Sequence, residues 1–218
     1  MVWGWIPRNG DRIVLLLVEH LRLALIPVLA GLLLAVPFGW LANRYRPARA
    51  VLIPTAGVLY TVPSLALFVV LPGILGTKIL SEINIVVALT IYTVALLVRT
   101  VADALAAVPS MVVAAATAIG YRPVRRFLDV ELPLAVPVLI AGLRVATVSN
   151  ISLVSVGALI GVGGLGELFT EGFQLNFPTE IVTGIVLIML LALLGDALLL
   201  GIGRLATPWS RVGAGSRA

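Results

Sequence analysis

The chain is 218 residues long, with 61% apolar and only 11% charged residues and a mean hydropathy of +1.15. An ordinary soluble domain carries about 25% charged residues, so this composition excludes a fold whose whole surface meets water and makes lipid the solvent for much of it. A net charge of +5 and a pI near 10.4 would indicate nucleic acid in a soluble protein; here the Arg residues lie in short links between apolar runs, so the basicity reads as membrane topology, with no nucleic-acid partner.

Residues 1–20 read as an extracytoplasmic or interfacial segment. Their apolar core runs only from Ile13 to Val18, too short for a good cleavable signal peptide, and Trp3 and Trp5 are placed to anchor at headgroup level. Five windows then follow that are long and apolar enough to cross a bilayer: 21–43, 50–73, 83–105, 134–160 and 180–205. Backbone polar groups must be satisfied internally in hydrocarbon, so the expected fold is all-α, a polytopic membrane bundle of about five transmembrane helices. Residues 21–205 form one transmembrane domain and 206–218 a cytoplasmic tail. Pro27, Pro37, Pro54, Pro63 and Pro137 are expected to kink or locally open helices.

Arg44, Arg46 and Arg49 follow the first window, Arg122, Arg125 and Arg126 precede the fourth, and Arg204, Arg211 and Arg217 lie at the C-terminus. With five spans these fall on one side. The other side carries Lys78, Glu82, Glu167, Glu171 and Glu180 and no Arg in its two links. The positive-inside rule puts the Arg-rich side and the C-terminus in the cytoplasm and the N-terminus outside. Arg8, Arg12 and Arg22 run against that assignment, softened by Asp11 and Glu19.

Polar groups inside spans are costly unless they face protein or water. In the second window Tyr60, Thr61 and Ser64 surround Pro63, where a kink frees carbonyls beside an aromatic ring, a suitable surface for a quaternary ammonium. In the fourth, Ser149, Ser152 and Ser155 recur every three residues beside Asn150, a slanting stripe that lines a translocation path or makes interhelical hydrogen bonds. Arg99 and Asp103 are spaced to pair on one helix face; Arg144 and Asp196, placed toward the cytoplasmic side, read as snorkelling or mutually paired. Catalysis has no visible machinery: there is no Cys, one His at position 20, no metal-ligand cluster and no nucleotide motif.

The link before the fourth window is unusual. Met111 to Gly120 is a small-residue helix too short to span, Gly120 ends it, Arg122 to Glu131 supply charge, and Pro133 opens the next span. An Ala-rich surface beside basic residues reads as a docking element. These residues resemble the EAA loop of type I ABC importer permeases: Glu-Ala-Ala, three residues, Gly, nine residues, an aliphatic residue, any residue, Leu-Pro. Ala115, Ala116, Gly120, Val130, Leu132 and Pro133 match, whereas the leading Glu is Ala114, leaving Arg125 and Arg126 as the polar contacts. The resemblance implies a coupling helix that sits in a groove of an ATP-binding subunit.

Further stretches, TVPSLALFVVLP (61–72), LPLAVPVLIAGLRVATV (132–148) and ALIGVGGLGELFTEGF (158–173), resemble the betaine, choline and carnitine branch of that family, over roughly 21–205. Gly161, Gly163, Gly164 and Gly166 lack the Lys-Ser/Thr of a phosphate loop; the resemblance makes them part of an outer gate, and the alternative is a simple turn. It also implies a bacterial inner membrane, a second permease copy or paralogue, an extracytoplasmic substrate-binding protein, and ATP and Mg held by the partner ATPase, this chain holding no cofactor or metal. The expected function is permease for a quaternary-ammonium osmoprotectant such as glycine betaine, choline or carnitine. The alternatives are a methionine-type amino-acid permease or a self-sufficient channel or carrier, and no inverted repeat of the kind many carriers show is visible.

Overall fold

The structure, a computed structural model, describes residues 1–211. Among these every regular element is helical: α1 (Trp5–Arg8), α2 (Gly10–Arg44), α3 (Arg46–Thr61), α4 (Ser64–Leu75), α5 (Glu82–Ala106), α6 (Ser110–Ala118), α7 (Pro123–Arg126), α8 (Leu132–Gly157), α9 (Glu167–Gln174) and α10 (Pro178–Ala206). Four helices are long and apolar enough to cross a membrane, five if the bent pair α3 and α4 counts as one span. The tail residues 212–218, with Arg217, lie outside the described residues.

The first span differs most from expectation. Helix α2 begins at Gly10, well before residue 21, and runs for 35 residues, about 52 Å at the usual helical rise. Half of the expected interfacial segment is therefore continuous with the span. The cause is tertiary: Leu16 is buried in a cluster with Leu165 and Leu168, and Arg12 is ion-paired to Glu171 and Glu180. Trp5 packs edge-on against Phe177, ring centroids 5.8 Å apart, while Trp3 stays exposed.

Helices α2 and α5 form the largest interface in the molecule. The buried face of α2 is made of small residues, Ala24, Val28, Gly31, Ala35, Gly39 and Ala42, at helical spacing, which lets the two backbones approach closely. At Gly39 a Cβ would stand 2.4 Å from Val101 Cβ and 2.9 Å from the Val98 carbonyl oxygen. Gly39→Leu is therefore expected to push α2 off α5; overpacking of this kind typically costs about 1–3 kcal/mol. A clear fall in the thermal midpoint of the detergent-solubilised protein checks this, and an unchanged midpoint would contradict the packing described.

Pro27, Pro37, Pro54 and Pro137 are carried inside continuous helices. Pro63 coincides with a break, where α3 and α4 meet at 104°. Proline lacks the N–H and holds Val62 extended (φ −64°, ψ 129°), which ends α3. The Tyr92 hydroxyl donates to the Val62 carbonyl, so the break is satisfied from α5. The side chain of Asn84, fully buried, closes the following loop by donating to the Lys78 carbonyl (2.8 Å) and accepting from Thr77. Phe68 and Leu71 of α4, Ile85 and Leu89 of α5, and Ile151 and Val154 of α8 then share one core with Leu23.

Candidate functional site

The small-residue helix predicted at Met111 to Gly120 is α6. Gly120 ends it with φ +94°, and the two closing bonds of a Schellman motif are present: Gly120 N–H to Thr117 O at 3.0 Å and Tyr121 N–H to Ala116 O at 3.1 Å. Two expectations about this link need correction. Ala116 is turned inward at 5% exposure, whereas Ala114 and Ala115 are exposed, so the small surface open to a partner contains Ala114 and Ala115 but not Ala116. Arg126 is committed within the chain, donating through Nε to Glu131 (2.6 Å) and through Nη1 to Thr117 (2.7 Å). Arg125 is the outward cation, 76% exposed, paired with Asp129 at 3.2 Å and lying 5.6 Å from the Tyr121 ring centroid.

A π-helical turn, Phe127–Glu131, joins the link to α8, where Leu132 and Pro133 occupy the first turn, as a residue without an N–H permits. Phe127 packs on Trp40, 5.8 Å between centroids, in a cluster with Val101, Leu105 and Leu139. Sequence reasoning missed this anchor, which fixes the link to the bundle. Around it Met111, Ile119, Val124 and Leu128 are exposed.

The predicted path residues divide. Tyr60 stacks edge-on with Tyr92 (5.9 Å) and shares a narrow cleft with Ser149 and Asn150, but its ≈10 Å³ barely admits one water. Asn150 donates to Thr93 at 2.8 Å, both fully buried, which is the interhelical bonding alternative. Thr61 is satisfied by the Val58 carbonyl (2.7 Å), and Ser64 opens α4. Ser152 and Ser155 turn away from Tyr60 and line a groove of ≈420 Å³ with Gly166, Phe169, Thr170 and Met189. The three serines thus do not face one space: each step of three residues rotates the stripe by about 60°.

At the other end of the bundle, Gly161 and Gly164 take left-handed φ values of +83° and +48°. Residues 162–166 are buried, threaded between α2 and α8. His20, fully buried, stands against Gly164 and bonds through Nε2 to the Ile151 carbonyl at 2.9 Å. The lone histidine therefore ties α2, α8 and the glycine turn together, and its partner 131 residues away left no local signal.

Ion pairs distribute by region. Arg12 binds Glu171 of α9 and Glu180 of α10, and Arg22 binds Glu82. Burial, and then the nearby Glu19, push the Glu167 carboxyl above the ordinary carboxylate range. Asp103 is held by Arg49 at 2.7 Å, with the predicted partner Arg99 further off at 3.7 Å. Arg144 and Asp196 join α8 to α10 by two parallel bonds, Nε to Oδ1 and Nη2 to Oδ2, both 2.7 Å. Arg144 is the thirteenth of the 26 residues of α8, while Asp196 lies closer to the C-terminal end of α10, so the pair sits inside the spans and is mutually paired. Among the described residues no group of His, Cys, Asp or Glu is placed to hold a metal.

An all-helical bundle of apolar spans, one broken at mid-length, with a short surface helix at one end and a buried glycine turn at the other, defines a polytopic membrane protein. Residues 28–211 match the family described as binding-protein-dependent transport system inner membrane component, and the chain belongs to that family. It is the permease component of an ABC importer, and the family implies an ATP-binding subunit and a substrate-binding protein as partners. The chain is 32% identical over 200 residues to the choline transport system permease protein OpuBB of Bacillus subtilis, covering 92% of this chain and 91% of that one. It is 32% identical over 203 residues to the osmoprotectant import permease protein OsmW of Salmonella typhimurium, covering 92% and 94%. The fold is shared with a permease chain of the inward-facing MetNI methionine ABC transporter, with a TM-score of 0.82 at 24% identity over 95% of this chain and all of that one.

Proposed function

We propose that the chain is one half of the transmembrane pathway of an ATP-driven importer for a quaternary-ammonium osmoprotectant of the glycine betaine, choline or carnitine type. The observation that carries this reading is near full-length similarity, above 90% of each chain, to permeases named for choline and osmoprotectants. Energy comes from ATP and Mg bound on the partner ATPase, and this chain performs no chemistry. A second copy or paralogue completes the pathway. The exposed face of α6 with Arg125 receives the ATPase, and the glycine turn forms part of the outer gate. The methionine alternative has only a shared fold behind it. Reconstituting permease, ATPase and binding protein in proteoliposomes tests the reading: ATP-dependent uptake of glycine betaine or choline is expected, and uptake of methionine alone would overturn it.

In this reading residues 44–49, the 106–132 link and the C-terminus face the cytoplasm. Arg12 and Arg22 are then external and run against the positive-inside rule, each ion-paired there, Arg12 to Glu171 and Glu180 and Arg22 to Glu82. The chain has no Cys, so Arg46→Cys introduces a single reporter. It is expected to resist a membrane-impermeant maleimide in intact cells and to react after permeabilisation; labelling in intact cells would reverse the topology.

A further inference from the structure

We infer that the Arg144–Asp196 pair, at the contact between α8 and α10, is a recognition station for a zwitterion; the inference rests on the osmoprotectant reading. Its depth is the first reason. Asp196 lies ten residues from the Ala206 end of α10 and eighteen from the Pro178 end, roughly 15 and 27 Å at the helical rise, and Arg144 is at mid-helix. Both groups therefore fall within a hydrocarbon core about 30 Å thick.

Exposure is the second reason. The pair is well made, yet the side chains remain 31% and 34% exposed. An ion pair at this depth does not turn an open side to lipid; it faces protein or a water-filled path. No residue in the apolar stretch of α10 is buried within this chain, so whatever covers the open side of the pair comes from outside it.

Placement is the third. A cavity of ≈910 Å³ at the glycine-turn end is lined by Glu167, Phe169, Thr170 and Glu171. It shares Leu159, Phe169 and Thr170 with the ≈420 Å³ groove of Ser152 and Ser155. Ser155 Oγ is buried there without a partner. Ser152 and Ile188 line that groove eight residues outward of Arg144 and Asp196 respectively, about 12 Å along each helix, so the groove and the pair lie on the same two helices.

The chemistry selects the guest. A quaternary ammonium donates no hydrogen bond and is held by a carboxylate or an aromatic face. A carboxylate on the same molecule accepts from guanidinium, and Arg144 bonds Asp196 through Nε and Nη2, which leaves Nη1 as a donor. A betaine-type zwitterion exchanges partners with the pair, its ammonium to Asp196 and its carboxylate to Arg144, leaving no charge unpaired in a low dielectric. A cation without a carboxylate strands Arg144.

The test uses the complete transporter in proteoliposomes with Arg144→Gln/Asp196→Asn, which keeps a hydrogen bond between α8 and α10 without charge. Glycine betaine uptake is expected to fall at least tenfold, with complex assembly and binding-protein-stimulated ATP hydrolysis within twofold of wild type. Unchanged uptake, or uptake and hydrolysis falling together, would overturn the proposal and leave a structural pair. Arg144→Gln alone is expected to lower the glycine betaine to choline uptake ratio at least tenfold; an unchanged ratio contradicts the role of the guanidinium. A wild-type complex that carries neither compound overturns the osmoprotectant reading itself, and the station with it.

Discussion

Gly164→Val is expected to leave little folded protein. At φ +48° the backbone is left-handed, where a β-branched residue is a genuine outlier. A Cβ there would also stand 2.7 Å from His20 N and 2.8 Å from His20 Cα and Cβ. Two of those three atoms are backbone of the long helix α2, so the collision is not relieved by a rotamer change. Backbone strain of about 1–3 kcal/mol and overpacking of a similar size then add, which is comparable to the whole stability of a marginal domain. Recovery of monodisperse protein from detergent, measured by fluorescence-detected size exclusion, should collapse. Gly57→Ala is the control: nothing lies within 4 Å of a Cβ at that helical position, and recovery should be unaffected. Wild-type recovery of Gly164→Val would mean that the turn does not thread against α2 as described.

The elements legible in sequence are those whose cause is local. Helix α5 (Glu82–Ala106) lies within a residue of the 83–105 window, and α10 within two of 180–205, because each is an unbroken apolar run bounded by polar or turn residues. Gly120 was readable for the same reason, since a helix stop needing positive φ is written in one residue. What failed depends on partners distant in sequence. Arg12 and Glu19 look like terminators until Glu171 and Glu180, 159 and 168 residues beyond Arg12, neutralise the arginine and let α2 start early. Helical periodicity put three serines on a stripe but not the neighbours that divide them between two spaces. Spacing likewise matched Ala115 and Ala116 to one motif without telling which of them faces the bundle.

That last distinction makes the coupling helix testable at neighbouring positions. Met111, Ala115 and Ile119 are four residues apart and so share one face of α6, with Met111 and Ile119 80% and 76% exposed. If this face enters a groove on the ATPase, Ala115→Glu sets an unpaired carboxylate among apolar contacts at the interface, a burial too costly to tolerate. The substitution spares the chain itself, since the site is exposed and Glu is a good helix former. Normal expression, loss of ATPase co-purification and uptake at background are expected. Ala116→Glu should fail differently, because Ala116 is 5% exposed within its own chain: protein recovery itself should fall. Ala114→Glu supplies the carboxylate that the resembling loop carries there, on an exposed position, and should keep both recovery and uptake. The same side chain at three consecutive positions thus separates docking from folding. Full uptake and normal ATPase recovery with Ala115→Glu would remove α6 from the interface, whatever the other two variants did.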